Sequence, residues 1–509
     1  MKKTILYIAA AACLASMSSC VLDLYPRTSF NEGNVTVTDD EETTESQYSS
    51  REDMLGLRNS IYSSYVRGIQ EAGYQDWLVY SDVRADNAYC GSPTTGEIVA
   101  IEANNIDGDN KNVDRDWSYF LGQVTNANQI ICNTDRIFEA GTSDTGTPMT
   151  QTEHDQWKAE AFCWRAYNLY CMSQLWGDIP LVTEIPPAIT AENIEEVYEL
   201  YYPPRTPKEE VYAQMIEDLT YATQYAPEPS SDKSVFTKGF AYGLLARVYA
   251  ENTSYRDWSK VAECCAAVES YSAYSLCENY GDLWAYDDTD AKRNTTESIF
   301  EVPYTRSSGN WVWMMFHRNY YNPDDSYTWA KWITPSRNLI AAYEEAGDTE
   351  RMNASIIWDE CGWSYYYPSE EYAFMHKMPT NANSIILMRL GEIYLLHAEA
   401  LCMQNDLAGA TEYVNKTRNR AKLASITAPA SQDEMLDIVL DERRLELAFE
   451  GFRFFDLVRH GKAAEVHDAM PLEDSYWQTR YPLTEETILM PIPTTQMDNN
   501  PNLEQNPGY

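Results

Sequence analysis

The sequence predicts a fold dominated by α-helices, with a tetratricopeptide-like helical-repeat scaffold and a large irregular, loop-rich insertion. Apolar residues recur at helical spacing over much of the chain, as in the stripe from Leu387 to Leu401. Residues 389–422 contain two successive helical patterns, and their combined length is that of one tetratricopeptide repeat. Between about 277 and 380 this pattern disappears, and the chain becomes rich in Trp, Tyr, Asn, Asp and Pro. Loops on a rigid scaffold commonly carry binding sites, so we expect the insertion to matter for function.

The composition limits the kind of partner. The 509 residues are 44% hydrophobic and 23% charged, which is enough apolar material for a core. Acidic residues outnumber basic ones by 78 to 38, and the net charge is −40. Such a surface repels phosphate backbones, so nucleic acid is excluded as a partner.

The N-terminus has the pattern of a lipoprotein signal peptide over residues 1–19. Lys2 and Lys3 precede an apolar stretch from Ile5 to Ala15, which is too short for a membrane span of roughly 20 residues. Small and polar residues then lead to Cys20, the predicted lipidation site. Stable anchoring needs two or more acyl chains. The alternative is an ordinary secreted protein with an incidental cysteine.

The first half of the chain alternates helical patterns with polar connectors. Residues 20–50 are the lipidated N-terminus and a polar approach segment, and residues 51–509 are expected to form a single domain. We expect helices from Arg51 to about Ile69, from Trp117 to Phe138 and along the face of Trp157 to Leu175, with a loop-rich stretch at about 74–116.

Later helices carry start signals or occur in pairs. Thr206 and Pro207 have the pattern of a capped helix start, and Ser431 is the predicted cap of a later helix. The paired segments are Phe240–Glu251 with Trp258–Tyr271, and Arg389–Gln404 with Leu407–Lys422.

The sequence offers no motif for a catalytic metal, a cofactor or a nucleotide. There is no P-loop, no G-x-G-x-x-G, no G-x-S-x-G and no H-E-x-x-H. Asp107 to Asn112 is interpreted as an Asn/Asp turn, because it lacks EF-hand spacing. His397 is interpreted as a core histidine, and the nine cysteines after Cys20 as buried apolar residues without a disulfide framework.

Three segments resemble the RagB/SusD family of nutrient-uptake outer-membrane lipoproteins. They are the stretch from Cys20 to Phe30, the segment ERRLELAFEGFRFFDLVRHGK at 442–462, and the tail at 490–509. In the middle segment we expect Glu442 and Glu446 to pair with Arg443 within one helix, and Gly451 to form a left-handed cap. The phenylalanines after it are expected to be buried, so this segment is interpreted as structural.

The resemblance implies a surface glycan-binding protein without catalytic activity. Members of the family capture oligosaccharides and deliver them to a SusC-like TonB-dependent transporter, so we expect a lipid-anchored protein exposed at the outer membrane. A peptide-binding member of the same family is the first alternative, and a glycoside hydrolase, which needs only two carboxylates, is the second.

Aromatic residues beside hydrogen-bonding groups are the predicted glycan contacts, because a sugar ring stacks on an aromatic ring while its hydroxyls need polar partners. One group lies at 77–89 and the other at 304–313, where alternation would put both tryptophans on one side of an extended segment. The candidates are Trp77, Arg84, Asp86, Asn87, Tyr89, Tyr304, Trp311 and Trp313. Arg306, Asn310, Trp329 and Trp332 accompany the second group, and Trp363 to Tyr367 form a third.

Overall fold

The computed structural model describes residues 48–90, 96–141, 146–190, 192–321, 332–363, 366–471 and 480–509. The predicted signal peptide, Cys20 and most of the approach segment lie outside these residues. The described part is mainly helical, with six short strands, which confirms the predicted dominance of α-helices. Among the described helices, none is long and apolar enough to cross a membrane.

The first helix begins as predicted, but the loop-rich stretch does not. Helix α1 is Arg51–Gly68, and Ser50 and Asp53 form a reciprocal capping box at its start. After it, π-helical turns at Glu71–Gln75 and Val79–Val83 enclose one α-turn, Asp76–Leu78. Strand β1 (Ala88–Tyr89) and helix α2 (Gly96–Glu102) follow. The prediction of an irregular stretch at 74–116 was therefore wrong for much of its length.

Two long helices follow this segment. Helix α3 is Lys111–Ala140, and the side chain of Asn110 accepts hydrogen bonds from the backbone of its first turn. The predicted Asn/Asp turn is thus the cap of α3. Helix α4 is Gln151–Trp176, and α3 and α4 pack along each other.

Residues 186–202 form a separate small unit. It contains helix α5 (Ile194–Tyr201). Just before this helix, the side-chain amide of Asn193 donates to the Ala188 carbonyl at 2.9 Å.

The remaining scaffold helices pack on their neighbours in sequence. Helices α6 (Lys208–Tyr225), α7 (Lys238–Ala250) and α8 (Trp258–Glu269) continue from α4 by successive contacts. The start of α6 is capped by Asp178, whose carboxylate accepts from the Lys208 backbone N–H at 2.7 Å. The predicted capping by Thr206 was wrong, because the backbone of Thr206 pairs with Ile179 instead.

The insertion contains short strands and two helices. Strands β2 (Ser298–Val302) and β3 (Thr334–Pro335) precede helices α9 (Arg337–Ala346) and α10 (Thr349–Ser355). Strands β4 (Ile356–Asp359), β5 (Tyr372–Met375) and β6 (Ile385–Arg389) follow. The strands form three antiparallel pairs, β1 with β3, β2 with β6, and β4 with β5.

The last part of the chain returns to the helical scaffold. Helices α11 (Leu390–Met403) and α12 (Leu407–Arg420) are the predicted pair, and α13 (Gln432–Glu446) packs on both. The hydroxyl of Ser431 caps α13 as predicted. The shorter helices α14 (Arg453–Arg459), α15 (Ala463–Ala469) and α16 (Thr494–Asn499) complete the described elements.

A network of buried charges joins the insertion to α13. The Arg389 guanidinium binds the carboxylates of Glu297, Glu446 and Glu450, each at 2.7 Å. Arg420 binds Glu297 and Glu446 as well. The expectation that Glu442 and Glu446 pair with Arg443 was wrong, since Arg389 and Arg420 bind Glu446 and Arg351 binds Glu442 at 2.7 Å.

The tail packs on the scaffold through backbone and side-chain hydrogen bonds. The indole of buried Trp176 donates to the Pro491 carbonyl at 3.1 Å. The side-chain amide of Asn506 donates to the Met490 carbonyl at 2.7 Å.

Most cysteines of the described part are buried, as predicted. His397 is buried as well, and its imidazole contacts Glu269 at 2.7 Å.

Candidate functional site

The predicted contacts of the first group lie in the interior and are used by the fold. The guanidinium of Arg84 donates to the Ile488 carbonyl at 2.8 Å and covers the ring of Phe454. The carboxylate of Asp86 binds Arg453 at 2.9 Å and Arg444 at 3.1 Å. Burial alone would raise the pKa of Asp86, but these two guanidinium groups lower it below its usual range.

The other members of the first group have similar roles. Asn87 is buried and donates to Asp82 at 2.9 Å. Tyr89 is buried, and its ring stacks on Tyr366 with centroids 4.4 Å apart. Trp77 keeps part of its ring exposed and stacks on Phe455 with centroids 4.7 Å apart.

The second group is mostly buried too. Tyr304 is 2% exposed and its hydroxyl donates to the Val66 carbonyl at 2.7 Å. Trp313 is 8% exposed, whereas Trp311 is half-buried. The segment Val312–Met315 is a 3₁₀ turn, so the alternation expected for an extended chain does not apply. Trp77 and Trp311 are the candidates that retain exposed ring surface, and their contact with a glycan stays a prediction.

The described residues of the third group are also buried or half-buried: Trp363 and Tyr367 are half-buried. Trp363 packs edge-on against Tyr372 with centroids 4.7 Å apart, and Tyr366 is buried. Trp332 is half-buried. Trp329 and Tyr365 lie outside the described residues.

The structure brings together three other tyrosines at the surface of the insertion. We call Tyr286, Tyr320 and Tyr321 the tyrosine patch. The ring of Tyr286 lies 5.4 Å from that of Tyr320 and 6.1 Å from that of Tyr321, between centroids. Tyr286 is 37% exposed, and the other two rings are partly exposed.

Two arginines cover rings of the patch. The guanidinium of Arg306 lies 4.2 Å from the ring centroid of Tyr321, and that of Arg318 lies 5.5 Å from the centroid of Tyr320. Arg306 also donates to the Asp288 carbonyl at 3.0 Å. Cation–π contacts of this kind fix the ring planes while leaving N–H groups beside them.

Tight turns hold the patch in place. The carboxylate of Asp287 accepts from the backbone N–H groups of Thr289 and Asp290, which closes the turn after Tyr286. The side-chain amide of Asn310 donates to the carbonyls of Asn381 and Asn383, both at 3.0 Å. Asn310 therefore ties the loop at 304–321 to the loop at 380–384.

Two polar atoms beside the rings have no hydrogen-bond partner among the described residues. They are the Tyr321 hydroxyl and the Oδ1 atom of Asn381. Shielded polar atoms in native proteins are usually satisfied by water or by a ligand. Both atoms are shielded from solvent in this structure, so the accessible parts of the patch are its rings and the exposed guanidinium group of Arg306.

The titratable groups of the patch are neutral near pH 7. Burial raises the pKa of Tyr320 to about 12 and also raises those of Tyr286 and Tyr321. Burial lowers the pKa of His317 and that of His376 to about 4. The hydroxyls therefore keep their protons and can donate hydrogen bonds.

The structure buries most of the predicted contacts, and the tyrosine patch lies in the same loop-rich insertion as the second predicted group. Arg306 was named with the second group, whereas Tyr286 and the Tyr320–Tyr321 pair were missed. Adjacent tyrosines next to arginines in a loop were the available signal. Within the described ranges, no three His, Cys, Asp or Glu residues are grouped so that they could hold a metal ion.

Two known protein families match this chain, one in its N-terminal half and one at its C-terminal end. The family described as "SusD family" matches residues 370–509. The family described as "Starch-binding associating with outer membrane" matches residues 40–250.

Relatives align over most of the chain. A SusD-like protein from Formosa agariphila is 26% identical over 87% of this chain and 89% of its own length. The starch-binding protein SusD of Bacteroides thetaiotaomicron is 24% identical over 71% of this chain and 74% of its own.

Solved structures share the fold. Surface glycan-binding protein A from Bacteroides fluxus has a TM-score of 0.73 and 21% identity, covering 91% of this chain and 100% of its own. A laminarin-binding SusD-like protein has a TM-score of 0.71 and 22% identity, with the same coverage. Family matches at 40–250 and 370–509, relatives aligned over most of the length and a shared fold lead to one conclusion: the chain belongs to the RagB/SusD family.

Proposed function

We propose that this protein is a surface glycan-binding lipoprotein that captures oligosaccharides and delivers them to a SusC-like TonB-dependent transporter. Its relatives are named as starch-binding and surface glycan-binding proteins, and one matching family is described as associating with the outer membrane. Cys20 would carry the lipid anchor, and the transporter would be the membrane partner.

The tyrosine patch is the observation that carries the proposal. A pyranose has an apolar face that stacks on aromatic rings and hydroxyls that need hydrogen bonds. The patch offers partly exposed rings together with the guanidinium groups of Arg306 and Arg318. This mixture suits a sugar better than it suits a purely apolar ligand.

The carboxylates near the patch support a binding role without hydrolysis. A glycosidase needs one carboxyl group with a raised pKa as general acid. Hydrogen bonds from Thr289 lower the pKa of Asp287, and the guanidinium of Arg293 lowers that of Asp290. Asp359 forms an ion pair with Arg318 and lies 3.1 Å from Nε2 of the neutral His317 imidazole. These carboxylates stabilise turns or bind an arginine that covers a ring, so we propose that the protein is not an enzyme.

Equilibrium binding to a panel of oligosaccharides, with a peptide mixture alongside, tests this function. The mature protein should bind one glycan class saturably and release no reducing ends from it during prolonged incubation. Saturable binding of peptides with no glycan bound would favour the peptide-binding alternative. Release of reducing ends by the purified protein would favour a hydrolase.

Fractionation of native cells tests the anchor and the partner. The wild-type protein should fractionate with the outer membrane and be recovered with a TonB-dependent barrel after gentle detergent extraction. Cys20→Ala should leave the protein unacylated and soluble. Unchanged membrane fractionation of that variant would contradict the lipid anchor, and repeated recovery of the lipoprotein alone would contradict the transporter complex.

A further inference from the structure

The small unit at 186–202 presents an apolar stripe on helix α5. Ile194 is 51% exposed, Tyr198 is also exposed, and the side chain of Tyr201 is partly exposed. Residues four and seven positions apart lie on one side of a helix, so these three side chains form a continuous stripe, which we call the α5 face. Single exposed apolar residues are normal on protein surfaces, whereas a grouped set marks an interaction surface.

The charges around the α5 face are all negative. Residues 186–202 contain four glutamates and neither lysine nor arginine. Glu195 and Glu199 are exposed, and they form the row of the helix next to Ile194 and Tyr198. A fitting occupant therefore has apolar side chains and at least one positive charge.

The N-terminal segment and the chain that leads to the small unit start from the same part of α3. The guanidinium of Arg136 donates to the carbonyl of Tyr48, where the described chain begins. The thiol of Cys132 contacts the carbonyl of Thr183, three residues before the small unit, at 3.9 Å. Cys132 and Arg136 are one turn apart on the same side of α3, which is about 6 Å along its axis. The chain before Tyr48 and the chain after Thr183 therefore start close together.

Residues 22–30 have the side chains that the α5 face requires. Their sequence, LDLYPRTSF, contains two leucines, a tyrosine and a phenylalanine. Arg27 lies among them and is the one lysine or arginine in the sequence between Cys20 and Tyr48. Residues 39–42, which are DDEE, are repelled by the glutamates of α5. Charge and hydropathy thus favour the apolar part of the N-terminal segment as the occupant.

The length of the connecting chain allows this contact. The connection from Phe30 to Tyr48 is residues 31–47, and a chain of that length reaches at most about 60 Å and spans about 20–25 Å as a random coil. Helix α5 has eight residues and is about 12 Å long. We propose that residues 22–30 dock on the α5 face, with the guanidinium of Arg27 beside Glu195 and Glu199.

Docking would also place the membrane anchor. Cys20 lies two residues before the docked segment, so the lipid would be held at α5. The docking itself is independent of glycan capture, and only its effect on the anchor rests on the proposed lipidation of Cys20.

Hydrogen–deuterium exchange of the mature chain, produced without the lipid, tests the proposal. Ile194→Ser/Tyr198→Ser removes the stripe at exposed positions, so the amides of residues 22–30 should exchange at least about tenfold faster in this double variant than in the wild type. Tyr255→Ser is the matched control, because Tyr255 is similarly exposed but lies outside the small unit. It should leave the exchange of residues 22–30 unchanged.

A charge exchange tests the position of Arg27. Arg27→Glu should speed the exchange of residues 22–30, because it places a carboxylate beside Glu195 and Glu199. Glu195→Arg with Glu199→Arg should restore slow exchange in the Arg27→Glu chain. Rescue by opposite charges is a result that a general loss of folding cannot give.

Two results would overturn the proposal. They are wild-type amides at 22–30 that exchange at the rate of a synthetic peptide of the same sequence, or wild-type exchange in the folded double variant. Slow exchange of α5 that appears only with a TonB-dependent barrel bound would assign the α5 face to the transporter instead. Circular dichroism confirms the folding of each variant. Glycan capture at the tyrosine patch plays no part in this exchange, so the two proposals can fail separately.

Discussion

At the scale of single residues, Gly451 is the point where Trp77 meets the C-terminal part of the chain. Its φ is +82°, and a Cβ atom added there would lie 2.2 Å from a ring atom of Trp77. Its carbonyl accepts from the indole N–H of Trp77 at 3.0 Å, and its N–H donates to Asp82 at 3.1 Å. Glycine is thus required by both conformation and space.

Gly451→Ala should lower the free energy of unfolding by about 3 kcal/mol, as left-handed strain adds to the overlap with Trp77. Gly461→Ala is the matched control, because Gly461 also has a positive φ of +69° but has nothing within 4 Å of the added atom. It should cost about 1 kcal/mol. Urea unfolding measures both, and equal losses would contradict the proposed contact with Trp77.

His376 should make stability depend on pH. Burial lowers its pKa in the folded state to about 4, compared with about 6.5 in the unfolded chain. Between these values the unfolded chain binds more protons, so the stabilisation is present above pH 6.5 and is lost as the pH falls towards 4. The free energy of unfolding, relative to that of His376→Phe, should fall by about 2–3 kcal/mol across this window. A difference that does not change with pH would contradict the burial of a neutral imidazole.

At the scale of elements, the buried charge network fastens α13 to the strands of the insertion. Arg389 at the end of β6 is 1% exposed and binds three carboxylates. Burying charges is costly unless each has a partner, so losing the one guanidinium that joins Glu297, Glu446 and Glu450 leaves them incompletely paired.

Arg389→Met should therefore destabilise the protein by about 3–5 kcal/mol in urea unfolding. Lys462→Met is the control, because Lys462 binds Asp437 at 2.8 Å at the surface and both side chains are well exposed. It should cost less than about 1 kcal/mol. If the two variants unfolded at the same urea concentration, the network would not hold α13 in place.

The helices could be predicted from local signals, whereas their long-range partners could not. The capping box of Ser50 and Asp53 and the cap of Ser431 lie within a few residues of the helices that they start. The π-helical turns at 71–83 have no comparable local signal. The arginine partners of Glu442 and Glu446 come from 24 to 95 residues away, so helical spacing alone pointed to the wrong arginine.

At the scale of the whole molecule, the candidate site could be predicted as a region but not as a set of residues. Aromatic richness pointed to the insertion, and the tyrosine patch lies there. Which rings face solvent depends on tertiary packing. Tyr304 is buried and its hydroxyl donates to the carbonyl of Val66 in α1, while Tyr286 is exposed on a turn. Composition does not separate these two tyrosines, and only the folded arrangement does.

The affinity of Tyr286→Ala for the cognate glycan, relative to that of Tyr255→Ala, tests the central claim most directly. Tyr286 and Tyr255 are similarly exposed, at 37% and 39%, but only Tyr286 belongs to the tyrosine patch. Loss of a stacking ring should cost about 1–3 kcal/mol, or about 5- to 150-fold in affinity. We predict this loss for Tyr286→Ala and wild-type affinity for Tyr255→Ala, measured calorimetrically on folded proteins. Wild-type affinity in Tyr286→Ala, or an equal loss in both variants, would contradict glycan capture at the tyrosine patch.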